Sequence, residues 1–260
     1  MNILDKIVAR KKEEVAEIKR KYTIQDLEKS FSFHRDTFKL KDFLTDPGKT
    51  GIIAEFKRKS PSKGIINDKV SVEQVTTGYA AAGASALSVL TDKDFFMGHD
   101  DDLIAARKVN HIPILRKDFM VDEFQIIEAK AIGADIILLI AACLTAEEIK
   151  RFAELAKSLG LSTLLEVHGQ EELDYSLNEY IDVVGVNNRN LKDFTVSVET
   201  SLQLAETIPS EFLKISESAI SNPETVKMLK KAGFDGFLIG ENFMKTENPE
   251  QAMRDFVALI

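Results

Sequence analysis

Ionisable side chains crowd into one short stretch of the chain, IIAEFKRKSPSKG, at residues 52–64. An apolar run ends there in Glu55, Lys57, Arg58, Lys59 and Lys63. Charge inside a buried strand is costly unless it is paired. Because strand side chains repeat every two residues, Glu55 and Lys57 share one face. We therefore expect the strand to supply fixed charges to a site, and the following loop to close over a bound anion.

Several other apolar runs also end in polar side chains. Those residues are Arg116, Lys117 and Asp118; Glu166 and His168; Asn187, Asn188 and Arg189; Ser216, Glu217 and Ser218; and Gly240 and Glu241. Any one of them reads equally well as a solvated loop residue. The repetition of the pattern favours a shared site at one end of a set of strands.

The runs that carry these residues are nearly continuous in apolar side chains, which is typical of strands covered on both faces. There are eight, at residues 51–56, 85–91, 112–118, 135–141, 161–167, 182–188, 212–218 and 235–240. Helical patterns lie between them, for example at 72–83, 122–133 and 145–160. The last begins with a capping box, Thr145 and Glu148, and ends at Gly160.

Alternating strands and helices of this number predict a (β/α)8 TIM barrel at residues 51–260. Residues 1–50 are predicted to be a helical extension packed on the barrel, so that 1–260 form one domain. A doubly wound open sheet is the alternative, but its usual GxGxxG turn is missing from the sequence. In a barrel, the strand ends converge on one active site, and the turns SESA (216–219) and LIGEN (238–242) are candidates for phosphate binding.

Composition excludes several functional classes. The chain has 260 residues, 44% of them hydrophobic, and a net charge of −8, which argues against a nucleic-acid partner but not against a local basic pocket. No apolar stretch reaches ~18 residues, so no membrane span is expected. The single cysteine, Cys143, predicts a reducing compartment, the cytoplasm, and reads as a small buried hydrophobe rather than a nucleophile. The four histidines lack metal-ligand spacing.

With these residues located, the sequence resembles the indole-3-glycerol phosphate synthase family over essentially its whole length. The motifs that carry the resemblance are ILDKIVARKKEEV (3–15), IIAEFKRKSPSKG (52–64), LTDKDFFMGHDDDL (90–103), LRKDF (115–119), LLEVH (164–168), GVNNRNL (185–191), SESAI (216–220) and FLIGENFM (237–244). The resemblance implies a barrel with an extension over its mouth, and a monomer without metal or organic cofactor. It also implies a lyase of tryptophan biosynthesis, which converts 1-(2-carboxyphenylamino)-1-deoxyribulose 5-phosphate to indole-3-glycerol phosphate with loss of CO2 and water.

The resemblance also implies catalytic roles at five positions. Lys117 would be the general acid that protonates the substrate ketone, and we expect other cations nearby to lower its pKa. Lys57 would hold the substrate carboxylate, with Glu55 orienting it. Glu166 would be the acid/base partner in losing the hydroxyl and a ring proton. Asn187 would hydrogen-bond substrate hydroxyls or developing charge.

The remaining substrate-binding positions fall into three groups. Phosphate would sit against Ser60, the turn around Ala219, and Gly240 with Glu241, with Lys59 adding charge. The anthranilate ring would lie beside Phe96 and Phe119, although core packing is the simpler reading of a phenylalanine. Arg189 would bind a carboxylate or fix Glu166, and Glu217 and Ser218 would contact the substrate. Ala219 stands where the family usually has glycine, so a left-handed backbone there would be strained.

Two rival functions use the same fold. A phosphoribosylanthranilate isomerase needs a carboxylate–thiol or carboxylate pair as acid and base, and Cys143 does not follow such an acid at a strand end. A barrel that only binds a phosphorylated ligand would not need both lysines and Glu166.

Overall fold

A computed structural model describes residues 3–190 and 194–260. Met1, Asn2 and residues 191–193, which include the last residue of the motif GVNNRNL, lie outside this description. Within the described residues, eight parallel strands form a closed barrel. The strands are β1 (Ile52–Phe56), β2 (Ala86–Leu90), β3 (Ile114–Lys117), β4 (Ile136–Ile140), β5 (Ser162–Val167), β6 (Val183–Asn187), β7 (Leu213–Glu217) and β8 (Gly236–Ile239). The predicted (β/α)8 fold and all eight predicted strands are confirmed.

The barrel closes because each strand pairs with its neighbours in sequence and β1 pairs with both β2 and β8. Alternate side chains point into the barrel, where Ile53, Leu115, Leu138, Leu164 and Ile215 belong to one buried apolar cluster. The other side chains of each strand face the surrounding helices and join a second, larger cluster. Full burial of one such side chain stabilises the fold by roughly 1.5–3 kcal/mol.

The helices alternate with the strands, as the sequence pattern predicts. They are α1 (Ile3–Lys21), α2 (Ile24–Glu28), α3 (Leu40–Leu44), α4 (Val72–Ala81), α5 (Asp100–Val109), α6 (Glu123–Ile132), α7 (Ala146–Ser158), α8 (Gln170–Ser176), α9 (Glu199–Leu204), α10 (Pro223–Lys231), α11 (Glu241–Met244) and α12 (Pro249–Val257). The predicted capping box is present: the backbone N–H of Thr145 donates to Glu148 at 2.9 Å, and that of Glu148 donates to Thr145 Oγ1 at 3.2 Å. Gly133 follows α6 with φ of 101°, a conformation that ends the helix without steric cost.

The N-terminal segment contacts both ends of the barrel. Leu40 and Leu44 of α3 pack into the inner apolar cluster at the amino ends of the strands. In the same region, Asp135, which precedes β4, binds Arg35 at 2.7 Å and accepts from the backbone N–H of Phe38 at 2.9 Å. The resemblance implies an extension over the mouth, but this part of it closes the opposite end.

Of the N-terminal helices, α1 lies at the mouth, the carboxyl ends of the strands. Its Lys11 side chain is buried and forms ion pairs with Asp92 at 3.0 Å and Asp118 at 2.9 Å, in the loops after β2 and β3. Ile3 and Leu4, at the beginning of the helix, line the cavity described below. Paired buried charges are geometrically demanding, so this cluster sets the position of α1 over the strand ends.

None of the helices in the described ranges, 3–190 and 194–260, combines the length and the apolar composition needed to cross a bilayer.

Candidate active site

A cavity of about 850 Å³ opens at the carboxyl ends of the strands. Fourteen of the site residues named from the sequence lie together on its walls: Lys117, Glu166, Lys57, Glu55, Asn187, Ser60, Phe96, Phe119, Arg189, Glu217, Ser218, Ala219, Gly240 and Glu241. They come from seven of the eight strand–loop units. This convergence follows from closure of the barrel, which carries the ends of strands far apart in sequence to a common rim.

Lys117 lies at the centre of the charged floor of this cavity. It ends β3, and its ammonium Nζ donates to Oε2 of Glu217 at 2.7 Å and to Oε2 of Glu166 at 3.2 Å. The two carboxylates enter from β7 and β5, across the barrel from β3. One lysine therefore holds two buried acids in contact with the space where a substrate would bind.

The surroundings of Lys117 contradict the expected lowering of its pKa. Burial does disfavour the charged ammonium, but Glu217, Glu166 and Glu55 attract it more strongly and raise the pKa above the ordinary lysine value. The expectation was wrong because LRKDF places Arg116 next to Lys117 in sequence, whereas in the barrel the two side chains point to opposite faces. Arg116 instead pairs with Glu128 at 2.8 Å, in α6.

The carboxyl groups of Glu166 and Glu217 both contact the ammonium of Lys117, but their pKa values are shifted in opposite directions. Burial opposes ionisation of Glu166, but Lys117, His168 and Asn187 outweigh it, and the pKa of Glu166 lies below its ordinary value. For Glu217, burial and repulsion by Glu166 outweigh the attraction of Lys117, and its pKa is raised to about 7. Its Oε1 has no hydrogen-bond partner among the described residues. Glu217 is therefore the acid of this set that exchanges a proton near neutral pH.

Replacement of Glu217 by glutamine is expected to stabilise the unliganded protein at alkaline pH. A carboxyl whose pKa is raised in the folded state holds a proton that the unfolded chain releases, so the free energy of unfolding falls as pH rises from 4.5 to 7. The amide avoids this loss, and we expect a gain of about 1–3 kcal/mol at pH 8 and little difference at pH 4.5. Urea unfolding at both pH values measures the difference in the free energy of unfolding between the variant and the wild type. The exposed Glu247→Gln serves as control, and a less stable Glu217→Gln at pH 8 would contradict the assignment.

The second ammonium, that of Lys57, is held as the resemblance implies. Its Nζ donates to Oε1 of Glu55 at 2.6 Å, and the hydroxyl of Ser88 lies 3.3 Å from Oε2 of the same carboxylate. Lys57 is half-buried and faces the cavity, so it is available to an incoming anion. Of the other cations in the opening stretch, Arg58 forms a two-pronged pair with Asp102 in α5.

Gly240 has a packing role that the sequence does not reveal. A Cβ atom at this position would lie 2.5 Å from Oε1 and 2.8 Å from Cβ of Glu55. The same holds for Gly185, where a Cβ would lie 2.4 Å from Oε1 of Glu217. Gly240 was expected at the phosphate, and the structure adds that the absence of a side chain here makes room for the inward carboxylate of Glu55.

The turn after β7 has the strained backbone anticipated from the sequence. Ser218 and Ala219 have φ of 65° and 58°, both in the left-handed region. This conformation costs roughly 1 kcal/mol or more for a residue with a side chain. Two consecutive left-handed residues turn the chain sharply and keep Ser218 and Ala219 on the wall of the cavity.

Near this turn, the rim of the cavity carries cations in a different arrangement from the one expected. Arg189 lies 3.7 Å from the carboxylate of Glu241 and is not in contact with Glu166. Lys63 also lies 3.7 Å from Glu241 and lines the cavity, a position that the sequence did not assign to it. Lys59, expected to add charge at the phosphate, instead donates to the backbone carbonyl of Asp94 at 3.1 Å.

The opposite wall of the cavity is apolar. The rings of Phe96 and Phe119 face each other with centroids 6.1 Å apart at an interplanar angle of 39°, and both line the cavity. Leu90 of β2, Leu138 of β4 and Leu238 of β8 also line the cavity. These leucines were not identified, because a leucine in a strand carries no signal that separates a cavity wall from a core.

Two side chains with potentially nucleophilic or basic groups, Cys143 and His99, lie outside this chemistry. Cys143 is not among the described residues that line the cavity, and burial beside Glu166 and Glu172 raises the pKa of its thiol. His99 precedes α5, where its Nδ1 accepts from the backbone N–H of Asp101 at 3.1 Å. In the ranges 3–190 and 194–260, no group of three or more His, Cys, Asp or Glu side chains is arranged to hold a metal ion.

Comparison with known proteins agrees with the family resemblance of the sequence motifs. A model of the family described as "Indole-3-glycerol phosphate synthase" matches residues 4–256. A protein of that name from Bacteroides thetaiotaomicron is 47% identical over 259 residues, which cover 100% of this chain and 99% of the relative. One from Polaromonas sp. is 43% identical over 261 residues, 99% of each chain.

Solved structures at lower identity share the barrel. A chain from the tryptophan synthase α2β2 complex of Pyrococcus furiosus superposes with a TM-score of 0.60 at 17% identity, covering 81% of this chain and 97% of that one. A chain described as native KDPGal superposes with a TM-score of 0.57 at 13% identity, covering 80% and 91%. At this identity, the likeness concerns the fold alone. The match of the family model and the 47% identity over the full length show that the chain belongs to the indole-3-glycerol phosphate synthase family.

Proposed function

We propose that this chain closes the indole ring of 1-(2-carboxyphenylamino)-1-deoxyribulose 5-phosphate, giving indole-3-glycerol phosphate, CO2 and water. The observation that carries the proposal is the ammonium of Lys117 between Glu217 and Glu166, 2.7 and 3.2 Å away, on the floor of a cavity with an aromatic wall. Membership of the family supports the reaction itself. The roles of individual residues rest on the geometry and the resemblance.

In the proposed first step, Lys117 acts as general acid. The ketone carbon of the substrate becomes electrophilic when its oxygen is protonated, and the ring carbon then attacks it. The raised pKa of Lys117 keeps this residue protonated in the empty site. When the ketone oxygen replaces a carboxylate oxygen at Nζ, part of the attraction that raises this pKa is lost. Substrate binding thereby makes the lysine a better acid.

Lys57 and Glu166 complete the proposed chemistry. Lys57, oriented by Glu55 at 2.6 Å, binds the carboxylate that leaves as CO2. Glu166 is held ionised by its neighbours and accepts the ring proton, and it returns a proton to the departing hydroxyl. Asn187, at the end of β6, hydrogen-bonds the substrate hydroxyls beside it.

The two ends of the cavity match the two ends of the substrate. Phe96 and Phe119 pack against the anthranilate ring, with offset or tilted stacking. The phosphate binds at Ser60 and the backbone of Ala219, Gly240 and Glu241. When the phosphate binds, Lys63 and Arg189 pair with it instead of with Glu241. Glu217 and Ser218 contact the substrate from β7. The loop KRKSPSKG at residues 57–64 is proposed to order over the phosphate.

The decisive experiment follows indole fluorescence during incubation with the anthranilate substrate. Formation of indole-3-glycerol phosphate is expected without any added metal or organic cofactor. Absence of signal at saturating substrate would leave a binding protein or an isomerase, and conversion of phosphoribosylanthranilate would identify the isomerase.

We further propose that residues 1–260 act as one domain and as a monomer, with no nucleic-acid partner. All the side chains of the site come from one chain, and the net charge is −8. A single cysteine is in keeping with a reducing compartment such as the cytoplasm. Light scattering coupled to size exclusion tests the oligomeric state, since a mass near 29.0 kDa is expected.

A further inference from the structure

One buried titratable side chain next to the proposed machinery has no part in it. His168 follows the last residue of β5 and lies behind Glu166; it is not among the described residues that line the cavity. Its Nε2 is 3.4 Å from Oε1 of Glu166, and its Nδ1 is 3.2 Å from Oε2 of Glu172 in α8. The imidazole ring thus stands between two carboxylates.

This arrangement selects the doubly protonated ring. A neutral imidazole has one N–H and one lone pair, so one of its nitrogens would direct a lone pair at a carboxylate oxygen. The imidazolium carries a proton on each nitrogen and avoids that repulsion: Nδ1 donates to Glu172, and Nε2 lies within ion-pair distance of Glu166 without a hydrogen bond to any described residue. The position of Glu172 is set independently, because its Oε2 also accepts from the backbone N–H of His168 at 2.7 Å.

The charged groups around the ring agree with this protonation state. Burial opposes the charged ring, but the hydrogen bond to Glu172 and the charges of Glu166, Glu172 and Glu217 outweigh it, so the pKa of His168 is raised. The thiol of Cys143 lies near the same carboxylates and is neutral. Lys117 is on the far oxygen, Oε2, of Glu166. Glu166 is therefore flanked by cations on both oxygens.

We propose that His168 is a positioning residue that supplies the cation which remains beside Glu166 when Lys117 gives its proton to the substrate. The proposal rests on the proposed function, in which Lys117 is the acid. Proton transfer from Lys117 to the ketone oxygen leaves a neutral amine, and Glu166 and Glu217 lose their shared counter-ion. His168 then keeps Glu166 ionised, so that it accepts the ring proton instead of competing for the proton of Lys117.

The titration of His168 tests the proposal without measuring catalysis. In the protein labelled with isotopes at histidine, NMR follows each ring against pH, and the His168→Gln variant identifies the signal. The ring of His168 is expected to titrate above its ordinary pKa of about 6.5. In Glu172→Gln, which removes one of the two carboxylates, its midpoint is expected to fall. A ring that titrates at or below the ordinary value would overturn the proposal.

Steady-state kinetics test the consequence for Glu166. His168→Gln keeps a polar amide without the charge, so the acidic limb of kcat/KM should move up by about one pH unit. We expect kcat to fall about tenfold and KM to stay within about threefold, because the ring does not line the cavity. In Glu172→Gln, kcat should match the wild type at pH 6 and approach that of His168→Gln at pH 8.5. The exposed His111→Gln is the matched control.

The outcomes separate this inference from the proposed function. If the pH profile of kcat/KM for His168→Gln coincides with that of the wild type, or if only the unfolding midpoint changes, the ring has a structural role and the inference is wrong. If Lys117→Met retains wild-type kcat, the acid has been misassigned. The NMR titration of His168 still gives a valid answer in that case, because it does not depend on turnover.

Discussion

Lys117→Met is expected to lower kcat by about 10²–10⁴, the usual contribution of a general acid, while substrate still binds. The methionine side chain fills the space of the lysine stem but cannot protonate the ketone. Binding persists because Lys57, the aromatic pair and the phosphate contacts remain. Single-turnover fluorescence measures the chemical step, and titration with the product measures binding. Wild-type turnover by Lys117→Met would refute the assignment.

The same substitution is expected to destabilise the protein, which must be separated from its catalytic effect. Glu166 and Glu217 would be left buried without their ammonium, and removing one partner of a buried pair costs roughly 3–5 kcal/mol. Without the lysine, the pKa of Glu217 rises further, and the pKa of Glu166 loses the attraction that holds it below its ordinary value. The loss is therefore largest at alkaline pH and shrinks as the carboxyls become protonated at lower pH.

A second variant provides the control. In Lys117→Met/Glu217→Gln, the carboxylate that binds Lys117 most closely, at 2.7 Å, is replaced by a neutral amide. Part of the lost stability should return at pH 8, whereas kcat should not recover. If activity returned together with stability, the loss in the single variant would reflect folding and not acid catalysis.

Asp135→Asn is expected to cause a large loss of stability, about 3–5 kcal/mol, with little change in the kinetics of the folded enzyme. Asp135 is fully buried at the amino ends of the strands. Its Oδ1 binds Arg35 at 2.7 Å, and its Oδ2 binds Arg107 at 2.7 Å and accepts from the backbone N–H of Ile114 at 2.9 Å. The amide removes the charge and turns one accepting oxygen into a donor, which leaves two arginines without a counter-ion.

Urea unfolding gives the change in stability, and kcat and KM at low temperature report on the site. Asp36→Asn, an exposed substitution next to Arg35, is the matched control and should be nearly neutral. Unchanged stability of Asp135→Asn would show that the N-terminal segment is not energetically coupled to the barrel through this residue. A large fall in kcat of the folded variant would show that the contacts of Asp135 also affect the geometry of the active site.

Much of the fold follows from local pattern. The eight apolar runs and the glycines after the helices reflect periodicity and backbone conformation, which act over a few residues and are legible in sequence. The convergence of the site residues could also be predicted, because strand ends in a closed barrel meet at one rim. The pairing of Lys57 with Glu55 was predictable in detail, because two residues on the same face of one strand are neighbours regardless of the tertiary fold.

Contacts across the barrel were the part that could not be predicted. Lys117 was expected among cations, yet its neighbours are Glu217 and Glu166 from strands that are distant in sequence. Arg189 was expected to bind a carboxylate or to fix Glu166, and it lies beside the carboxylate of Glu241. Gly240 makes room for Glu55, which no spacing in the sequence reveals. Each of these depends on the stagger and tilt of strands around the barrel, which a single chain does not display.

The sequence by itself determined which side chains reach the mouth of the barrel, because period-two alternation and the order of strands decide that. Only the tertiary structure decided the charge that each of them carries there. The pKa of a buried group depends on every charge within a few ångströms, and closure of the barrel brings together charges that are distant in the chain, such as Lys117 and Glu217, which are 100 residues apart.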